Sequence, residues 1–121
     1  MAQLPRLKRR REFLTVAGSG RKAVAPGLIL QATGPSRGPA PDAAAPGLRV
    51  GFTASRKVGN AVARNRARRR LRAASETVLR AHAANGHDYV VIARAGTLTR
   101  PYAELLGDLA GALKRLSLYR P

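Results

Sequence analysis

Between Ser55 and Arg72 the chain carries eight basic side chains, Arg56, Lys57, Arg64, Arg66, Arg68, Arg69, Arg70 and Arg72, and no acidic one. Like charges at i, i+4 on a bare helix each cost a few tenths of a kcal/mol, so something outside the helix must offset them. Phosphates would do so. Arginine is preferred to lysine here, which suits a planar fork that grips phosphate oxygens or stacks on unpaired bases; solubility would be served equally by lysine. Dense arginine with few aromatics fits a folded RNA, whose helices are read by shape and backbone and whose loops are read by stacking. The plainer reading is a solvated charged face, and the lack of any interleaved carboxylate argues against it.

Other chemistries find little support. With no cysteine there are no disulfides, thiol nucleophiles or Cys-based zinc sites. His82 and His87 are too few for a protein-built metal site, lack partners at ligand spacing, and are expected at the surface. Glu104 and Asp108 stand at i, i+4, but opposite the leucines of a final helix, where a solvated face is the expectation. The remaining carboxylates form no catalytic constellation, and no Ser/His/Asp set or phosphate-cradling glycine loop is present.

The elements that would hold the basic run follow from pattern. At 121 residues one domain spanning 1–121 is expected, large enough to bury roughly two-thirds of its unfolded surface. Glu12 to Ala17 has helical spacing and is stopped by Gly18-Ser19-Gly20. Leu28 to Thr33 is an expected strand, and Leu48 to Thr53 alternates with period two in a second that ends near Ser55. Between them, 34–47 contains Pro35, Pro39, Pro41 and Pro46 and is expected to be a mobile loop. The longest helix should run from Asn60 to about Ala84 and close at Asn85-Gly86, with Ala63, Ala67, Leu71, Ala74 and Val78 inward and Arg64, Arg68, Arg69 and Arg72 on the neighbouring face. Tyr89 to Ala93 is a buried strand, with Tyr89 packing at its end. Thr99 is a possible cap and Pro101 a first-turn residue for a last helix bearing Leu105, Leu109, Leu113 and Leu116.

The formal charge of +17, from 23 Lys and Arg against 6 Asp and Glu, implies strong self-repulsion unless a polyanion neutralises it. A nucleic acid is the natural partner. Anionic membrane surface is the rival, but no stretch approaches the roughly 18 to 20 apolar residues of a spanning helix, so an integral membrane protein is not expected and no membrane partner is assigned. The basic cluster Arg6, Lys8, Arg9, Arg10 and Arg11 is followed by no apolar secretory segment, which gives a cytoplasmic expectation. That cluster is either a specific RNA contact or a loose tail.

Lys57-Val58-Gly59-Asn60-Ala61-Val62, then Arg64-Asn65-Arg66 and Arg68-Arg69, closely resembles the motif of the bacterial ribonuclease P protein family. The likeness extends to the basic first helix with Phe13, the Leu48 to Ser55 strand, the His87 to Arg94 strand and the leucine-rich final helix. It covers most of the chain apart from 34–47. It implies an α/β sandwich ordered helix, strand, strand, helix, strand, helix, with a mixed sheet and a left-handed βαβ crossover. It also implies a non-catalytic subunit that binds a catalytic RNA and the 5′ leader of precursor tRNA, raising affinity for substrate and for magnesium held mainly by the RNA. By resemblance Arg64, Asn65, Arg66, Arg68 and Arg69 contact the catalytic RNA, with Arg72 completing the arginine face, and Phe13, Arg56 and Lys57 line a leader cleft. One monomeric protein per RNA is expected, with no activity of its own. Phe13 has a second reading as plain core.

Three positions depart from the family pattern. Ala17 and Gln31 stand where aromatics are common, and Arg70 where an apolar residue is common; Arg70 is expected at the helix rim, since burying an unpaired guanidinium is costly. Loss of two stacking platforms would shift leader binding toward backbone contacts. The rival functions are a ribosomal or other structural RNA-binding protein, against which the ordered Arg-Asn-Arg motif argues, and a DNA-binding protein, for which no helix-turn-helix or basic-zipper pattern exists.

Overall fold

The computed structural model describes residues 3–33 and 48–121. The expected proline-rich loop at 34–47 lies outside the described residues. In chain order come helix α1 (Arg10–Gly18), strands β1 (Lys22–Val24), β2 (Leu28–Ala32) and β3 (Leu48–Thr53), helix α2 (Ala61–His82), strand β4 (His87–Ala93), a 3₁₀ turn (Ala95–Leu98) and helix α3 (Tyr102–Arg115). The six-element order expected from sequence therefore lacks β1 and the 3₁₀ turn. β1 has only three residues, too few for a period to show.

The sheet order is β1-β2-β4-β3. β2 pairs antiparallel with β1 and β4, whereas β3 pairs parallel with β4, placing Val50 opposite Tyr89. Parallel neighbours need a crossover, and α2 supplies it. The outer edge of β3 is not left open: Leu7 N donates to Val50 O at 3.0 Å and Val50 N to Pro5 O at 2.9 Å. This pairing protects the edge and shows that the basic N-terminal run is not a loose tail as far as Arg6 and Leu7.

Strand alternation divides the sheet into two faces. Leu28, Leu30, Val50, Phe52, Tyr89 and Val91 form the main core with Ala67, Leu71, Ala74 and Val78 of α2 and Leu105, Leu109 and Leu113 of α3. On the opposite face α1 buries Val16 against Val90 and Leu7, with Phe13 and Ile92 packed at the margin. Tyr89 is fully buried and its hydroxyl donates to Ala84 O at 2.8 Å; burial pushes that phenol well above its ordinary range.

Helix ends differ from expectation for local reasons. Asn60 caps α2, its side-chain oxygen accepting from Ala63 N at 2.9 Å. The far end falls at His82, with Ala83 already extended; Gly86, at φ 85°, turns the chain into β4 and does not cap the helix. Ala83 leaves the helix because it pairs with Tyr119, while Ala84 N donates to Leu118 O at 2.9 Å. Pro101, not Thr99, stands at the start of α3, and Leu116 follows its last turn, half-buried.

Candidate RNA interface

The arginines of α2 do not form one face. Successive residues are about 100° apart, so Arg64, Arg68 and Arg72 follow one another at i, i+4 along the flank toward β3. All three are half-buried. Arg66 and Arg70 follow one another along the opposite flank toward α3, with exposed Asn65 and Arg69 on the ridge between. The expected single stripe becomes an arc of guanidiniums wrapped around a helix whose inner side is Ala67, Leu71 and Ala74. The first turn of α2 holds no acidic residue, so the positive end of the helix dipole adds to this field.

The carboxylates are spent elsewhere. Every carboxylate among the described residues is ion-paired to one of three arginines outside the arc: Glu12 and Asp88 to Arg49, Glu76 to Arg80, and Glu104 and Asp108 to Arg100. Within the arc, Arg68 donates to the Asn65 side-chain oxygen at 2.5 Å. Arg64, Arg66 and Arg69 make no side-chain hydrogen bond or ion pair among the described residues, which leaves their guanidiniums unengaged.

The expectation of a solvated Glu104–Asp108 face holds only for Glu104. Asp108 accepts from Arg100 Nε at 2.6 Å and from Gly27 N at 3.0 Å, with its side chain only 9% exposed. It clamps the β1–β2 turn to α3. A methyl group at position 27 would stand 2.8 Å from that carboxylate, so the turn needs glycine there. Arg70 is likewise not a free rim residue. Its Nε donates to Thr97 O at 2.9 Å and its Nη2 to Arg100 O, so it spans from α2 to the loop before α3. His82 and His87 are half-buried rather than free at the surface: Nδ1 of each lies 2.9–3.0 Å from a carbonyl oxygen, of Arg120 and Thr33 respectively, and His82 stacks on Tyr119.

Beside the β3-side flank sits Arg6, whose role the sequence did not disclose. Its guanidinium lies 4.9 Å over the Phe52 ring, and burial together with neighbouring Arg72 lowers its pKa, opposed by Glu76. Glu76 itself accepts from Leu4 N at 2.8 Å; burial works to raise its pKa, but that amide and Arg80 hold it below the ordinary range. The Nε atoms of Arg6 and Arg72 are buried without a hydrogen-bond partner among the described residues. This flank concentrates positive charge at the sheet edge.

On the other side of the sheet, α1 packs over β2 and β4, with Phe13 reaching Gly51 of β3. Phe13 packs on Gly51, where an added methyl group would clash with the ring, and it is half-buried, so its reading as core holds in part. The half-buried Ile29, Gln31, Thr53 and Ile92 share this face of the sheet by strand alternation. Arg56 and Lys57 are exposed in the turn that leaves β3, whose geometry is set by Val58 N donating to Ser55 O at 3.0 Å. One strand, β3, thus links Phe13 to the two basic residues. Ala17 is exposed on α1.

α1 is held to the sheet by ions. Glu12 accepts from Arg9 N at 2.9 Å and Lys8 N at 3.0 Å and also pairs with Arg49, which grips Asp88 with two nitrogens at 2.7 and 3.0 Å. The two amides, helped by Arg49, lower the Glu12 pKa to about 2. Around α2 the available donors are guanidiniums and one amide already engaged by Arg68, a set that repels a divalent cation and does not fit a protein-held magnesium. Among the described residues no three His, Cys, Asp or Glu side chains could hold a metal ion together.

An arginine-clad helix crossing behind a four-stranded α/β sandwich, with an open half-face on the other side, defines a small RNA-binding protein. The family model Ribonuclease P matches residues 1–117. The ribonuclease P protein component of Paramagnetospirillum magneticum is 61% identical over 115 residues, 95% of this chain and 84% of that one. That of Gluconacetobacter diazotrophicus is 52% identical over 110 residues, 91% and 89% of the two chains. The fold matches the Staphylococcus aureus RNase P protein with a TM-score of 0.72 at 21% identity, over 98% of this chain and 100% of that one. It matches the Thermotoga maritima RNase P protein with a TM-score of 0.71 at 24% identity, over 91% and 96%. The chain belongs to the ribonuclease P protein family. Its role is therefore in tRNA 5′ maturation, as part of an endoribonuclease holoenzyme whose other partners are ribonuclease P RNA and precursor tRNA.

Proposed function

We propose that the α2 arc, Arg64, Asn65, Arg66, Arg68, Arg69 and Arg72, docks the catalytic RNA, and that the cleft bearing Phe13, Arg56 and Lys57 holds the single-stranded 5′ leader. The observation that carries this is the segregation of charge: all described carboxylates pair outside the arc, which leaves its guanidiniums available to phosphates. Counterion release then supplies affinity. An apolar floor with a basic rim suits unpaired nucleotides, whose bases stack while their phosphates meet cations. With Ala17 and Gln31 at the cleft, Phe13 is its one aromatic, and backbone contacts by Arg56 and Lys57 carry more of the leader's binding.

In this reading the RNA performs the chemistry with magnesium bound by its own phosphates, and the protein, one copy per RNA in the cytoplasm, acts by affinity and charge neutralisation. This reading gives no side chain among the described residues a role as nucleophile, base or metal ligand. The test is cleavage of a precursor tRNA at low magnesium by ribonuclease P RNA, with and without this protein, and by the protein alone. Cutting at the mature 5′ end by the mixture only is expected. A protein that adds nothing to its native RNA, or one that cuts unaided, overturns the reading.

A further inference from the structure

The chain has five aromatic side chains, and four are occupied. Phe52 and Tyr89 are in the core, Phe13 packs on Gly51, and Tyr119 lies between His82, at 4.5 Å between ring centroids, and the Lys114 ammonium at 4.8 Å. Tyr102 alone is exposed, at 40%. It opens α3 directly after Pro101, so its backbone is fixed by a helix on one side and a ring on the other.

Its loop is also tied to the arginine arc. Arg70 reaches from the α3-side flank of α2 to the carbonyls of Thr97 and Arg100, and Arg100 is in turn gripped by Asp108. Arg66 stands one turn before Arg70 on the same flank and is fully available. An open ring, a rigid mount and a free guanidinium on the same flank are the parts of a site for an unpaired base: the ring stacks on the base and Arg66 takes its phosphate.

We infer that Tyr102 is a stacking platform for an unpaired base of the catalytic RNA, extending the α2 interface along its Arg66–Arg70 flank, with Arg70 as the positioning residue. The inference rests on the proposed docking of that RNA on α2. Stacking adds affinity without releasing counterions, so it separates cleanly from the arginine contribution.

The experiment measures affinity of the full-length protein for the ribonuclease P RNA across a salt series, for wild type, Tyr102→Ala, Tyr102→Phe, Tyr102→Trp and Arg66→Ala, each with a melting curve. Tyr102→Ala should bind at least about fivefold more weakly with the slope of log affinity against log salt unchanged. Tyr102→Phe and Tyr102→Trp should bind within about twofold of wild type, which also answers a folding defect in the alanine variant. Wild-type affinity in Tyr102→Ala overturns the inference, and so does a loss in Tyr102→Phe equal to that in Tyr102→Ala, since the hydroxyl would then be the contact. If instead Arg66→Ala leaves both affinity and slope untouched, the docking of RNA on α2 itself fails, a distinct result.

Discussion

Arginine does two opposite jobs in this molecule, and the comparison separates the fold from the interface. Arg49, Arg100, Arg70, Arg94 and Arg21 each donate to carboxylates or backbone carbonyls across distant parts of the chain and fasten elements together. The side chains of Arg64, Arg66 and Arg69 donate to nothing among the described residues. The acidic residues are so few that their placement decides which arginines belong to which group. Fastening arginines should govern stability and leave RNA affinity alone, except Arg70, which also holds the loop that carries Tyr102; arc arginines should do the reverse.

The sharpest break of that comparison is to replace Arg64, Arg66, Arg68, Arg69 and Arg72 together with alanine. Affinity for ribonuclease P RNA at near-physiological salt should fall by about a thousandfold, and the wild-type salt slope of about −3 to −5 should become nearly flat. Arg66→Ala alone should flatten it by roughly one unit. Urea unfolding should show the multiple variant no less stable than wild type, since the substitutions relieve like-charge repulsion along α2. Loss of the fold in the absence of RNA would show that the arc is structural after all.

The complementary test falls on the fastening side. Asp108→Ala leaves the Gly27 amide without its acceptor and frees Arg100, at a cost to stability of about 1–3 kcal/mol for the orphaned amide. Urea unfolding measures that loss, and RNA affinity at a temperature where the variant is folded should stay within about twofold of wild type. A large loss of affinity in the folded variant would mean that the α3 clamp is part of the interface.

How much of this could be read in advance depends on whether a residue's partner is local. The start of β3, the inner stripe of α2 and the buried run of β4 follow from period and capping, which are properties of consecutive residues. The cationic run was visible for the same reason. Asp108, Arg70, Arg6 and the two histidines were not, because their partners lie far along the chain: Gly27 for Asp108, Thr97 and Arg100 for Arg70, and Phe52 for Arg6. The helix end at Asn85-Gly86 misled because pairing of Ala83 with Tyr119 overrides a favourable local cap. The splitting of Arg64 and Arg66 onto opposite flanks was implicit in helical geometry, but which flank faces β3 and which faces α3 required the packing.

The smallest expected effect lies where α1 is fastened to the sheet. Glu12 has its pKa held at about 2, chiefly by the Arg9 and Lys8 amides, against about 4.3 in an unfolded chain. A carboxyl whose pKa is depressed by folding stabilises the native state fully above its unfolded pKa. That contribution declines as pH falls below it and is gone once the folded group is protonated near pH 2. The pair sits at the exposed start of α1, where solvent and salt screen it, so the contribution is under about 1 kcal/mol. Glu12→Gln should therefore be slightly less stable than wild type at about pH 7, and the two unfolding curves should converge between about pH 4 and pH 2. The remaining carboxylates are common to both proteins and cancel in the difference. A gap that persists unchanged into acid would place the effect in packing rather than charge. Unaltered RNA affinity at neutral pH would keep Glu12 among the groups that build the fold and outside those that meet the RNA.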